Sequence, residues 1–546
     1  MDEMQFMDEF LQTGAAIFCF VSAYIVRGWR LGRGGSWLTG LLIFIGLYIL
    51  LPASFPAWLG QLLVVVASGV HFYFLFFAGK GNNDGYVRGN FLHDHATFVK
   101  RLSKVAHRFK LGGIPIPTQI ETRSFLLAGA PGTGKSLALT AALDELRAIE
   151  SSRAIIADAA GVLTARYYDP ARGDVILNPF DLRTTEYSIL AEIESIADIP
   201  AITKSLIPDA AGEGKVWSNY AQTFVECVIE YVYLTGGTSG DIYRLINAAS
   251  TEELRTIAGD GPAASLLSPD NERMFASVRG TASTAVNALR YSSKTADATA
   301  FSIRRFIAND AVAGWIFINY KLEQRDALRG LISAQIDIAA RAVLSMQPDL
   351  NRRIIFAVDE LPLLGKINSI VELATNGRKF GSVIFAGLQT IAQLREIYGE
   401  MQAQTLLACF GSWLILQVPD AETAEYMSRY VGEREITRVI TSASSSSSSS
   451  GSSDSSSTSV QYSKDRLLLP SELQSLEARR GYLRIADEPG IVAVQIGITE
   501  SIKAADAFVA LPKPTPAPKP QPVPVPTPAP KPQPVPVQAR DEFAND

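Results

Sequence analysis

The stretch Gly129-Ala130-Pro131-Gly132-Thr133-Gly134-Lys135-Ser136 decides the fold. It fits G-x-x-x-x-G-K-[ST], the phosphate-binding P-loop. Its glycines let backbone N–H groups turn inward around phosphates, where side chains would block them. In that chemistry Lys135 reaches the β- and γ-phosphates and Ser136 holds Mg²⁺. The flanks agree with the motif. Ser124-Phe125-Leu126-Leu127-Ala128 reads as a short buried strand, and Leu137 to Ile149 reads as a helix. A helix in that position also aims its positive N-terminus at the bound anion. A Gly-rich surface turn would need neither flank.

A second motif lies far downstream. Ile354-Ile355-Phe356-Ala357-Val358-Asp359-Glu360 is an apolar strand ending in two carboxylates. Asp359 suits Mg²⁺, directly or through water, and Glu360 suits orientation and deprotonation of an attacking water. The competing reading of Asp359 is a helix N-cap. A third strand, Val383–Leu388, delivers Gln389, a polar group able to sense a γ-phosphate. Gly377-Arg378-Lys379-Phe380 offers a cation upstream. A surface ion pair and a transition-state contact fit Arg378 equally well on sequence grounds.

The rest of the chain follows from these motifs. Strand candidates Ala154–Asp158, Asp174–Leu177, Trp315–Tyr320, Trp413–Val418 and Ile491–Ile496 alternate with helical runs. They predict a three-layer α/β domain with a mainly parallel sheet, over 111–183 and 300–500. Between them the interval 184–299 loses strand signal and predicts an inserted all-α domain. That insertion explains the wide separation of the two motifs. Gly212-Glu213-Gly214-Lys215 resembles half a P-loop, but no strand precedes it; it reads as a turn before a helix.

Apolar residues make up 47% of the chain and charged residues 19%, and the apolar excess sits at the N-terminus. Phe10 to Val26, Trp37 to Ser54 and Ala57 to Ala78 are three uncharged runs. They predict a transmembrane region over 1–80, with two or three helices. Arg27, Arg30 and Arg33, and the basic residues after Lys80, put everything beyond 79 in the cytoplasm. Segment 81–110 reads as a basic linker lying on anionic lipid, with DNA as the alternative contact. The net charge of −5 excludes a wholly basic nucleic-acid coat, so any such contact is local. Cys19, Cys227 and Cys409 are too few and too scattered for a disulfide framework. His93-Asp94-His95 reads as a solvated loop, since no further ligand stands at metal-site spacing.

Two biased segments remain. The tract 442–459 is mostly serine and is expected to be a disordered loop. The end, 512–546, is a proline-rich tail in which Pro514–Val525 is repeated without change as Pro526–Val537. It is expected to be extended and disordered, a spacer or a docking ligand.

Together the motifs carry a family likeness. Ile114-Pro115-Ile116-Pro117, Glu121-Thr122-Arg123, the P-loop and Ile176-Leu177-Asn178-Pro179-Phe180-Asp181 resemble the type IV coupling proteins of bacterial conjugation. So do Asp359-Glu360-Leu361-Pro362-Leu363-Leu364-Gly365-Lys366, Gly377-Arg378-Lys379 and Gly387-Leu388-Gln389. The resemblance covers roughly 105–500, and the ordered series makes it specific. It implies a RecA-like P-loop ATPase, hexameric and anchored in the inner membrane, with ATP and Mg²⁺ as cofactors. It implies that single-stranded DNA, with relaxase and relaxosome proteins, is passed to a type IV secretion channel. It implies an arginine-finger role for Arg378 on a neighbour's ATP and a sensor role for Gln389. Two features depart from the pattern. The turn between the second and third apolar runs is very short, and Asp158-Ala159-Ala160-Gly161 stands where many relatives read D-P-x-G. Rival functions are a duplex-DNA motor and a membrane receptor that recruits proteins without pumping.

Overall fold

The computed structural model describes residues 85–210, 212, 214–291, 300–448 and 451–512. The three N-terminal apolar runs and nearly all of the proline-rich tail lie outside them. Among the described residues no helix is long and apolar enough to cross a membrane.

A ten-stranded sheet dominates. We number its strands in chain order: β1 Leu92–His93, β2 Phe125–Ala128, β3 Arg153–Ala159, β4 Val175–Ile176, β5 Gly314–Tyr320, β6 Ile354–Val358, β7 Ser382–Leu388, β8 Ser412–Ile415, β9 Arg480–Arg484 and β10 Ile491–Gln495. Their spatial order is β1-β10-β9-β8-β2-β7-β6-β3-β5-β4. β9 runs antiparallel to both neighbours; every other pair in the sheet is parallel. The expected α/β architecture is therefore present, with β2 to β8 and β10 where the apolar runs put them.

Both faces of the sheet are buried, as crossover helices on either side require. Side chains alternate with period two. Phe125, Leu127 and Phe385 point to one face with Leu139 and Leu143 of the helix Lys135–Arg147. Leu126, Ala128, Ile384 and Ala386 point to the other, with Ile332 and Ile336 of the helix Arg325–Leu344. In register, Phe385 is paired with Phe125, and their rings stack with centroids 4.9 Å apart. Phe109 closes the cluster edge-on, 5.5 Å from Phe125.

Between β4 and β5 the described chain is helical. The longest helices there are Gly214–Leu234, Ser239–Ala248 and Glu272–Val286. Their apolar faces do not form an isolated core. Phe224, Val228 and Val278 belong to the same buried cluster as Ile316 of β5 and Ile332.

Two regions differ from expectation. Segment 81–110 holds structure rather than a bare linker. From Gly89 onward it contributes β1, the helix His95–Leu102 and the strand His107–Leu111. Phe98 and Leu102, at i, i+4 on the helix, and Phe109 on the strand are buried, and the helix spacing turns Lys100 and Arg101 outward. Arg101 pairs with Glu488 at 2.5 Å and Lys110 with Glu145 at 3.8 Å, so part of its charge is met within the protein. Asp94 caps the helix, accepting from Thr97 N–H at 2.9 Å, and His93 packs between Phe91 and Phe98.

The described residues of the serine tract are not an unstructured loop. The strands Glu433–Ser448 and Gly451–Arg466 pair with each other, and the first also pairs with Gly85–Gly89. Serine offers little to bury, but a hairpin satisfies its backbone groups without a core. Val439, Ile440, Val460 and Tyr462 flank the tract, and such residues favour extended backbone. Most of this hairpin, 435–465, groups with 85–88 in one compact unit; residues 89–434 and 466–512 belong to the other. The chain then re-enters the main sheet through β9 and β10.

The Phe125–Phe385–Phe109 cluster generates a stability test. Phe385→Ala is expected to destabilise the α/β unit by about 3–5 kcal/mol. Urea unfolding followed by circular dichroism would measure it; a loss under about 1 kcal/mol would remove the cluster from the account of the core.

Candidate active site

The P-loop joins β2 to the helix Lys135–Arg147 at the carboxyl edge of the sheet. Gly132 (φ 77°) and Gly134 (φ 109°) sit in the left-handed region that glycine adopts without strain. Neighbouring strands hold the loop. Gly129 N–H donates to Leu388 O at 3.0 Å, and Ala130 N–H donates to Gln417 O at 2.8 Å. The loop is thus fixed from both β7 and the end of β8.

Lys135 is buried, with 7% of its side chain exposed. Its Nζ donates to Gly129 O at 2.5 Å and lies 4.0 Å from Glu360 Oε2. Burial holds the ammonium below the usual lysine range, against the pull of Glu360 and Asp359. Ser136 Oγ donates to both carboxylate oxygens of Asp359, at 3.0 and 2.9 Å. These hard oxygen donors suit Mg²⁺, which would take this hydroxyl and carboxylate as ligands.

Glu360 is nearly enclosed. Burial raises its carboxyl above the usual range, while Lys135 and Gln389 pull it down. Its Oε1 is buried and has no hydrogen-bond partner. A buried acceptor with nothing to accept from is expensive, and a bound water would satisfy it.

β7 lies between the P-loop strand β2 and the carboxylate strand β6. Gln389, at its end, therefore lies between the two motifs, and the contact with Glu360 follows from that order. Gly387 makes the approach possible. A Cβ there would lie 1.6 Å from Asp359 O.

The structure thus brings Lys135, Ser136, Asp359, Glu360 and Gln389 together. It does not bring Arg378 to them. Arg378 is exposed in the short 3₁₀ turn Gly377–Phe380, before β7 begins. Gln389 follows the other end of that seven-residue strand, about 20 Å away at 3.3 Å per residue. Arg378 forms no ion pair or side-chain hydrogen bond with any described residue.

Two further residues stand near the site. Asp158, at the end of β3, is fully enclosed next to Asp359; burial pushes its carboxyl up to about 6. It accepts from Thr164 N–H at 2.6 Å and Thr164 Oγ1 at 2.7 Å, capping the helix Val162–Tyr167. In the loop that departs from D-P-x-G, Ala160 takes φ 71°. Arg479 touches the P-loop backbone, donating its N–H to Thr133 O at 2.9 Å. Arg479 is 344 positions beyond Lys135 in no recognised motif, and only the fold brings it there.

A P-loop on the central strand of a mainly parallel sheet, with a carboxylate pair one strand beyond its neighbour, defines a P-loop nucleotide-binding protein. The comparisons narrow the class. Residues 108–497 match the family model "Type IV secretion-system coupling protein DNA-binding domain", and the chain belongs to that family of coupling proteins. It is 28% identical over 443 residues to the coupling protein TraD of Escherichia coli (strain K12), covering 79% of this chain and 61% of that relative. The chain therefore spans less than two thirds of TraD. Among solved structures it resembles the bacterial conjugative coupling protein TrwBdeltaN70, unbound, with TM-score 0.71 and 27% identity over 79% of this chain and 98% of that one. It also resembles TrwB in complex with the non-hydrolysable ATP analogue ADPNP (TM-score 0.71, 26% identity, 80% and 99% covered). TrwB in complex with ADP and Mg²⁺ is similar as well (TM-score 0.69, 27% identity, 78% and 96% covered).

Two substitutions test the site. Gly387→Ala is expected to force β7 away from Asp359 and to cost about 2 kcal/mol or more; urea unfolding reads this, and a neutral result would show that the strands part freely. Glu360→Gln is expected to raise the thermal midpoint of ligand-free protein at neutral pH. The raised carboxyl means that ionised Glu360 disfavours the folded state, fully so above its folded pKa. Below the unfolded carboxyl value of about 4.3 both states are protonated and the gain should vanish. Midpoints compared at pH 4 and pH 8 check the sign.

Proposed function

We propose that this protein is a membrane-anchored, hexameric, RecA-like ATPase that couples a relaxase–DNA complex to a type IV secretion channel and drives single-stranded DNA through it. One observation carries the reading. Lys135, the Ser136–Asp359 pair, Glu360 and Gln389 converge at one edge of the sheet, which is a complete hydrolytic half-site. The complexes of TrwB with ADPNP and with ADP and Mg²⁺ support ATP and Mg²⁺ as its ligands. The DNA-binding description of the matched family supports DNA as its substrate, and the bacterial conjugative coupling protein TrwBdeltaN70 supports conjugation as its setting.

In this reading Lys135 neutralises the phosphates and Ser136 and Asp359 hold the metal. Glu360 takes a proton from the attacking water; burial raises its carboxyl above the usual range, which makes it a stronger base than an exposed glutamate, and one of its oxygens is unpartnered. Gln389 reports the terminal phosphate to β7. Arg378 acts in trans. Its exposure and its distance from the chain's own P-loop suit a contact with a neighbour's nucleotide across a ring interface. Phosphate state then alters the interface and moves pore-lining segments. Contacts to the DNA backbone rather than its bases suit such a motor. The apolar runs in 1–80 provide the inner-membrane anchor, and the ATPase unit faces the cytoplasm.

A mating assay tests the pump. Lys135→Ala and Glu360→Gln are each expected to lower DNA transfer about a hundred-fold or more while leaving protein level unchanged. Transfer at the unaltered level in both would make the protein a passive receptor. Arg378→Ala should abolish ATP turnover by the full-length protein without weakening ATP binding. Specific activity of the unaltered protein should rise with its concentration as rings assemble; activity independent of concentration would contradict a site shared between subunits. Stimulation by duplex rather than single-stranded DNA would identify a duplex motor.

A further inference from the structure

Backbone strain marks a residue that neither nucleotide motif contains. Arg479 has φ 66°. A bulky side chain seldom takes this left-handed conformation, and such outliers gather at ligand clamps when their surroundings enforce them. Here two bonds enforce it. Arg479 N–H donates to Thr133 O of the P-loop at 2.9 Å, and Arg479 O accepts from Ile496 N–H at 2.7 Å.

The side chain leaves this anchor across the loop. A Cβ built on Gly134, the residue before Lys135, would lie 3.3 Å from Arg479 Cγ. The residue is half-buried, yet its guanidinium has no hydrogen bond, ion pair or ring contact with any described residue. Its neighbour Arg480 is exposed and pairs with Glu477 at 3.2 Å. Arg479 is therefore held at a phosphate loop by strained backbone with its planar group uncommitted.

Strand order gives the direction of the missing partner. Glu360 and Gln389 follow β6 and β7, on one side of the P-loop strand β2. Arg479 immediately precedes β9, on the other side, beyond β8. A nucleotide whose terminal phosphate sits at Glu360 and which extends the opposite way would bring its nucleoside end towards Arg479. We propose that Arg479 clamps the nucleoside end of the nucleotide on the chain's own P-loop, its guanidinium lying flat against the purine ring. Arginine suits this better than lysine, because its charge is planar and weakly hydrated and stacks on π faces. The proposal rests on the nucleotide reading above and adds the base contact to it.

The test uses full-length protein in detergent, with equilibrium binding of ATP and of inorganic tripolyphosphate, and thermal midpoints. R479G removes the side chain and relieves the strain, since glycine takes this φ freely. Its midpoint should hold or rise. Its ATP affinity should fall about ten-fold, the size of a stacked cation contact in a partly dry site. Tripolyphosphate, which has no base, should bind it as before. R479K should not restore ATP affinity. Should glycine loosen the loop and lower the midpoint, R479K still reads the contact, because it keeps the charge and loses the plane. Unchanged ATP affinity in R479G, an equal loss for tripolyphosphate, or full rescue by R479K would each overturn the base contact. Failure of the nucleotide reading itself would look different: the unaltered protein would bind no ATP.

Discussion

The structure depends on the close seating of β7 between β2 and β6. Parallel backbone pairing sets Phe385 opposite Phe125 on one side and Ala357 on the other. The spacing of the candidate site follows from that register. It lets Gly129 N–H reach Leu388 O, delivers Gln389 to Glu360, and lays Gly387 against the Asp359 carbonyl. A shift of one residue would turn the whole apolar set of β7 to the wrong face, so the buried alternation that stabilises the sheet also fixes the site. Stability and chemistry share one constraint here.

The site's electrostatics are those of a resting half. Lys135 is buried, donates to a backbone carbonyl and faces Glu360, Glu360 is enclosed with an orphan oxygen, and Ser136 is bound to Asp359. Each of these groups has given up water for a partner that a phosphate, a metal or an attacking water could replace. Such preorganisation is how charge is stabilised in a dry site without rearrangement at the moment of reaction. The position of Arg378 makes the same point from the other side. A cation kept exposed at the far end of β7 contributes nothing to its own P-loop.

Regions where sequence reading failed have a common cause. The basic segment before 110 was read by its charge, yet Phe98, Leu102 and Phe109 are what place it, by entering the core beneath the P-loop helix. The serine tract was read by its inability to form a core, but strands need only a partner backbone, and its flanking Val, Ile and Tyr residues bias it to extension. Composition reports the solvated side of a segment more loudly than the side that packs. The helical interval between β4 and β5 shows the reverse error of scale. Its helical character was legible from the loss of strand signal, but not that its buried faces would merge with the sheet's own core.

Local chemistry made the nucleotide half-site legible. Glycine spacing, a Lys-Ser pair and a strand ending in Asp359-Glu360 are properties of contiguous residues, and the alternation of apolar runs is enough to give a parallel α/β sheet. The sequence by itself therefore determined the strands, the P-loop, the carboxylate pair and the likeness to coupling proteins. Only the tertiary structure decided which strands are neighbours. That order brought Gln389 to Glu360, left Arg378 at the opposite edge, and set Arg479 on Thr133 at a positive φ. The physical reason is that adjacency in a parallel sheet is fixed by long crossovers and by packing on both faces, and neither is written in any single stretch of the chain.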